Sequence, residues 1–321
     1  MAVFNKIYNK LTFEVKLYKE TNAKIALLQF VRDFLIRDGM RLYNKVEYAK
    51  QAEIKRFLKN DLDDVIKKYK AKKVSCFDKP KQSNIIWVFW GQGFENAPSI
   101  VKQCNRQLHY QASKSQKLQV IELDLKNYEK YIHLPQNIVE KFNAGSLSIV
   151  NFSDILRSFL LRDYGGGWID ATVFMSSTLS EIYSSPVYTV KHELFKEKEH
   201  VCKGKWSSFF MAATQKNVLF PYLCDAFSAY CQKHSFFISY FLIDCLIAIG
   251  YEEIEEVRKE IDEIRPNNRG VFLLVDALQN DAKSDEVNRI LKENTVHKMA
   301  YQIKGAERVA GKLKIISERE L

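Results

Sequence analysis

Three observations predict an α/β fold whose neighbouring strands run parallel. The run Asn84-Ile-Ile-Trp-Val-Phe-Trp-Gly-Gln-Gly93 is continuous, apolar and closed by glycines, as in a strand covered on both faces and followed by a loop. Strand and helix patterns then alternate over the next 60 or so residues, the order that builds parallel sheets. Finally, 321 residues with 46% hydrophobic side chains, 12 Gly and 6 Pro can bury a large core, which excludes disordered, collagen-like and low-complexity classes.

Element by element, the chain opens with a helical, lysine-rich preface. From Asn22 to about Tyr69 apolar residues recur at steps of three and four, with no Pro and one Gly, so two or more amphipathic helices are expected, broken near Asp38-Gly39. The texture changes at Pro80, which suggests a division into a basic helical segment, 1–80, and a second unit, 81–321. After the strand ending at Phe89 come a helix over 97–112 with Pro98 in its first turn, a strand over 118–123 and a helix over 135–144. Ligands in such sheets bind at the carboxyl ends of strands, so the loop Trp90-Gly91-Gln92-Gly93 is the first place to look for a site.

Charge is unevenly distributed. Residues 1–80 carry 19 Lys and Arg against 10 Asp and Glu, whereas the rest carries 30 against 29. A polyanionic partner for the first quarter is therefore expected, an anionic membrane face rather than nucleic acid, since neither an RNA-binding aromatic motif nor a metal finger is present. The longest apolar run, 236–249, is shorter than the roughly 20 residues of a spanning helix and contains Asp244. Nothing at the Met1 start reads as a secretory leader, so the expected location is the cytoplasm, peripheral on the inner membrane face. Six widely spaced cysteines without metal-type spacing are expected as reduced thiols.

The stretch Phe152-Ser-Asp-Ile-Leu-Arg-Ser-Phe-Leu-Leu-Arg-Asp-Tyr-Gly-Gly-Gly-Trp-Ile-Asp-Ala-Thr-Val-Phe174 concentrates the chemistry. Ser153 reads as an N-cap, and the helical stripe after it stops at Gly165. Asp154 and Arg157, three apart, share one face, where they either grip a ligand together or pair with each other. Gly165, Gly166 and Gly167 let backbone approach a ligand or simply stop the helix. Residues 168–174 read as one strand that presents Asp170 and Thr172 on the same side. Trp87 and Trp90 read as core or pocket wall, and Asp244, a carboxylate in an apolar helix beside Tyr240, requires a partner.

This stretch resembles the SD-x-x-R … GG-x-(Y/W)-x-D-x-(D/T) signature of DxD-motif glycosyltransferases, above all bacterial capsular polysaccharide synthesis proteins and the wider glycosyltransferase family 32. Ile85-Ile-Trp-Val-Phe-Trp-Gly91 with Pro98 and Cys104 looks like that family's first strand and helix, and Val296-His-Lys-Met299 like its C-terminal His-Lys element. The resemblance implies a Rossmann-like GT-A fold with a helical N-terminal extension, and a retaining transfer of a hexose from a UDP-sugar to a glycan or lipid-linked oligosaccharide acceptor in surface polysaccharide synthesis. It also implies a divalent metal, Mn²⁺ or else Mg²⁺, on the diphosphate. Carried over residue by residue, Asp154 and Arg157 hold the donor sugar, and Asp170 is the first carboxylate of the DxD motif. Trp87, Trp90, Gly91, Gly166, Gly167, Thr172 and Lys298 join the substrate site, Trp90 stacking on the uracil. Asp170, Thr172 and His297 form the metal set, and Asp244 orients the acceptor beside the catalytic Asp154 and Asp170. Thr172 departs from the fuller motif, which has a second Asp there, and a hydroxyl binds a hard cation more weakly than a carboxylate. The alternative reading is a non-catalytic nucleotide-sugar or glycan-binding protein of the same fold.

Overall fold

The computed structural model describes residues 2–36, 41–71, 84–115, 118–178, 182, 185–194, 199–213 and 217–320. Four helices come first: α1 (Ala2–Glu20), α2 (Ala23–Phe30), continued by a π-helical turn (Val31–Leu35), α3 (Arg41–Asp61) and α4 (Asp63–Ala71). α1 belongs to the segment 1–80 expected to be helical, ahead of the periodic stretch 22–69, and the Asn22 side chain caps α2 by accepting from the Ile25 N–H. The expected break at Asp38-Gly39 lies outside the described residues.

The sheet begins with β1 (Ile85–Phe89), α5 (Ser99–Lys114), β2 (Gln119–Leu123), α6 (Gln136–Asn143), α7 (Ile149–Asp163) and β3 (Gly166–Ile169). β4 (Val173–Met175), β5 (Val187–Thr189), β6 (Phe210–Ala213), α8 (Leu219–Lys233), α9 (Leu242–Glu253) and α10 (Glu255–Asp262) follow. The chain closes with α11 (Leu273–Gln279), α12 (Ser284–Glu293), β7 (Val296–Lys298) and α13 (Ala306–Glu320). Five strands form one sheet in the order β2-β1-β3-β6-β5. β1 runs parallel to both neighbours, pairing Ile85 with Gln119 and Ile86 with Gly167, while β6 is antiparallel to β3 and β5. The fold is thus mixed α/β, with the parallel part where the continuous apolar run predicts it.

Two local expectations are corrected. Residues 168–174 are not one strand: the Asp170 N–H still bonds the Phe209 carbonyl beside β3, but the Val173 N–H then closes a turn on the Asp170 carbonyl, and β4 leaves the main sheet to pair with β7. The cap of α7 is Ser148, whose Oγ accepts from the Asn151 N–H, whereas Ser153 sits inside the helix and bonds back to the Val150 carbonyl.

The N-terminal helices share the main core. Leu17, Ile25, Ile54, Leu58, Leu62, Ile66 and Tyr69 are buried in one cluster with the apolar faces of α8 and α9. Around that contact the basic charge meets acids: Lys55 and Lys59 pair with Glu252, Lys59 and Lys70 with Glu253, and Lys68 with Asp225. Part of the N-terminal positive charge is therefore matched inside the molecule. Of the cysteines, Cys104, Cys202, Cys224, Cys231 and Cys245 are free and buried, and Cys76 lies outside the described residues.

Candidate active site

A cleft of about 760 Å³ opens at the carboxyl ends of β1 and β3. Trp90 and Gly91, directly after β1, form one wall, and a Cβ on Gly91 would stand 2.8 Å from Cδ1 of Ile149 at the start of α7, so a side chain there requires Ile149 to move. α7 forms the floor. Its residues from Asn151 to Leu161 are almost all buried, so Asp154 and Arg157 are held from both sides where they meet the cleft.

Asp170 is the hub. Its Oδ1 accepts from an Arg157 terminal nitrogen at 3.1 Å and from Trp168 Nε1 at 3.0 Å, and its Oδ2 accepts from Lys298 Nζ at 2.8 Å. Burial acts to raise the Asp170 carboxyl, but Lys298 and Arg157 outweigh it and hold the group below its ordinary range. Asp154 behaves oppositely. Burial pushes its carboxyl up to about 7, with Arg157 opposing and Asp170 and Asp244 adding to the rise.

Arg157 sits between them. Its guanidinium lies 5.0 Å from the centre of the Trp168 ring and 3.1 Å from Asp154 Oδ1, without the alignment of a hydrogen bond to that oxygen. Nε and the terminal nitrogen nearest Asp154, not the one bonded to Asp170, are buried with no hydrogen-bond partner, as is Nε1 of Trp90. Buried donors without partners are costly, so these point to an oxygen-rich ligand that completes them. Lys298 reaches the site from β7 and lies over the Phe209 ring.

Asp244, from the first turn of α9, lines the same cleft and is buried, accepting from Trp206 Nε1 at 2.9 Å. Burial raises its carboxyl, against the pull of His200 and Trp206. Tyr240 stands exposed at the rim. The sequence reasoning missed Trp206, His192, His200 and Tyr301, all of which line the cleft from loops that carry no local motif.

The cleft brings together Trp90, Gly91, Asp154, Arg157, Asp170, Thr172, Asp244 and Lys298. Four expected site residues lie elsewhere. Trp87 is buried in the sheet, its Nε1 donating to the Gly165 carbonyl and its ring edge-on to Tyr131 and Tyr164. Gly166 and Gly167 belong to buried β3, where a Cβ on Gly167 would meet Ile86 Cδ1 at 2.9 Å, so that glycine serves strand packing. His297 points away from the cleft because alternation along β7 puts it opposite Phe174 while Lys298 faces Asp170. Its Nε2 contacts Ser176 Oγ, and burial pushes its basicity down to about 4.

The expected metal set therefore does not fit. His297 is turned away, Thr172 offers a hydroxyl, and both oxygens of Asp170 are occupied by cationic partners. Among the described residues no group of three or more His, Cys, Asp or Glu is placed to hold an ion.

Among the described residues no helix is long and apolar enough to cross a membrane. A family model described as capsular polysaccharide synthesis protein matches residues 38–314. No curated protein and no solved structure matches the chain.

Proposed function

The chain belongs to the capsular polysaccharide synthesis protein family, and from that premise we propose that it is a GT-A-type glycosyltransferase, related to family 32, which moves a hexose from a UDP-sugar to a glycan or lipid-linked acceptor during capsule assembly. One observation carries this reading: Arg157 and Lys298 converge on Asp170 in a cleft at the carboxyl ends of parallel strands, and two buried Arg157 donors there make no hydrogen bond, one of them only an ion-pair contact with Asp154. Such a site suits an anionic, hydroxyl-rich ligand.

The chemistry follows from where charge develops. As the bond between the sugar C1 and the diphosphate oxygen breaks, the electron pair leaves with the nucleoside diphosphate, and Lys298 and Arg157 offer it positive charge in a partly buried setting. The sugar becomes oxocarbenium-like, which favours the nearby carboxylates of Asp154 and Asp170. In a retaining course the acceptor oxygen bonds C1 on the face the phosphate leaves, and the acceptor proton passes to the departing phosphate oxygen. Asp244, braced by Trp206, lies where it can orient that hydroxyl. No step is assigned to Mn²⁺ or Mg²⁺, because the donor set does not fit one.

The test is UDP release from a panel of UDP-sugars, with and without acceptor glycan and with added Mn²⁺ or chelator. Release by the natural chain, lost in Asp170→Asn, supports a transferase. Tight donor binding without release supports the non-catalytic binding protein instead.

A further inference from the structure

α1 is apolar on two sides, and only one is used. On the inner side Leu17 is fully buried, Phe13 packs edge-on against Phe236 with ring centres 5.5 Å apart, and Glu20 accepts from the Ser235 N–H. On the outer side Ile7, Leu11, Val15 and Tyr18 recur at steps of four, four and three, which places them in one stripe, and they are 44%, 45%, 55% and 61% exposed. Leu27, Phe30 and Leu35 add exposed apolar groups on α2 and the π-helical turn. Nine of the sixteen large hydrophobic side chains exposed among the described residues fall within the first 42 positions, so this is a concentrated surface rather than the usual scatter.

Charge identifies what covers it. The only acidic residues in α1, Glu14 and Glu20, both turn inward, Glu14 being buried and Glu20 bonded to Ser235. Lys16 and Lys19 are exposed and, among the described residues, form no ion pair, unlike the lysines of α3 and α4 that meet acids of α8 and α9. Lys19, one turn after Val15, flanks the stripe, so the outer face presents apolar groups edged by positive charge and no negative charge. A second copy docking on it would set lysine against lysine, whereas an anionic lipid surface offers hydrocarbon for the stripe and phosphate for the lysines. We infer that the outer face of α1, extended by α2 and the π-helical turn, docks on an anionic lipid bilayer, with Ile7, Leu11, Val15 and Tyr18 entering the interface and Lys19 at its edge contacting headgroups.

The inference is tested by co-sedimentation of the full chain with vesicles of phosphatidylcholine alone or mixed with phosphatidylglycerol. Binding to the mixed vesicles and release by high salt are expected. Because the altered side chains are exposed, the doubly substituted L11E/V15E chain should keep its melting temperature and lose about tenfold or more of the bound fraction. Lys19→Glu should lower it in the same direction, and Leu27→Glu, on a separate helix, gives an independent reading should either variant unfold. Equal binding to both vesicle types, binding untouched by these substitutions, or absence of binding overturns the inference. So does a concentration-dependent dimer in sedimentation velocity that L11E/V15E abolishes, since the face is then covered by a second copy.

Discussion

Lys298 Nζ donates to Oδ2 of Asp170 at 2.8 Å, joining two residues that lie 128 positions apart in the chain. The contact depends on topology. β3 ends in the turn that carries Asp170, β4 follows, and β4 pairs antiparallel with β7 in the register Val173 to Lys298, which returns the C-terminal lysine to the mouth of the cleft. With Arg157 on the other oxygen, a single carboxylate organises two cations that would otherwise repel each other.

Lys298→Met should lower kcat/KM for the UDP-sugar by about a hundredfold or more, the usual cost of losing one charge-stabilising donor in a reaction centre. Lys298→Arg should recover part of that loss, because the positive charge returns with altered reach. Steady-state UDP release over a donor series reads both. If the methionine variant turns over normally, Lys298 serves only the fold.

Arg157→Met leaves the buried Asp154 without its cation, while the half-buried Asp170 keeps Lys298. Removing one partner of a buried pair typically costs about 3 to 5 kcal/mol, so a large drop in urea stability is expected. Arg157→Lys should recover stability better than donor affinity, since one ammonium replaces the charge but not the planar fork that meets both carboxylates. Equal recovery of both properties would mean that the fork itself does not touch the donor.

Asp154 gives the reaction a pH signature. Its carboxyl is raised to about 7 by burial, so acidification through that value removes the negative charge proposed to face the oxocarbenium-like sugar. The kcat/KM for donor should therefore fall as pH drops through about 7. Asp154→Asn should be slow and lack that limb. A variant that keeps the same limb assigns it to another group.

Much of this architecture was legible because the residues concerned act locally. The apolar run 85–89 announced a strand covered on both faces, and the stripe before Gly165 announced α7. The joint at Asp170 was not legible: Trp168-Ile-Asp-Ala-Thr-Val-Phe174 alternates like one strand, and what turns it is the bond from the Val173 N–H to the Asp170 carbonyl together with the pairing of β4 on the distant β7. β5 and β6 escaped notice because they are three and four residues long and far apart in the chain. Trp206, the partner of Asp244, comes from the loop between them. α1 lay inside the helical segment expected over 1–80, but its own bounds were not legible, since apolar groups on two faces blur the single stripe by which a helix is recognised.

Thr172→Asp tests the metal question directly. Thr172 lines the cleft two residues after Asp170, and a carboxylate there gives a hard cation a second anionic oxygen ligand. The natural chain is expected to release UDP at the same rate in chelator and in Mn²⁺, and the variant to bind Mn²⁺ and become sensitive to chelator. Calorimetry with the metal alone and rates with chelator measure the two halves separately. Strong chelator inhibition of the natural chain would refute the assignment of the diphosphate charge to Lys298 and Arg157.

Glu14 provides a last prediction, on stability alone. Both of its carboxyl oxygens are buried without a hydrogen-bond partner, and burial, reinforced by Asp33 and opposed by Arg32, Lys50 and Lys10, pushes the group from 4.5 to about 7. In the unfolded chain it titrates near its ordinary value, so between 4.5 and about 7 the folded protein binds a proton that the unfolded chain has released. Its contribution thus falls as pH rises across that window, and above it the buried charge is a constant burden. Glu14→Gln removes the ionisation, so the variant should match the natural chain near pH 4.5 and exceed it at pH 8 by about 1 to 2 kcal/mol. Asp154 and Glu260, both also raised to about 7 by burial, tilt the curve the same way and remain in the variant, so the slope should shrink rather than vanish. Urea unfolding of both chains at the two pH values gives the difference. An equal offset at both means that Glu14 ionises normally in the folded protein and that its oxygens are reached by water.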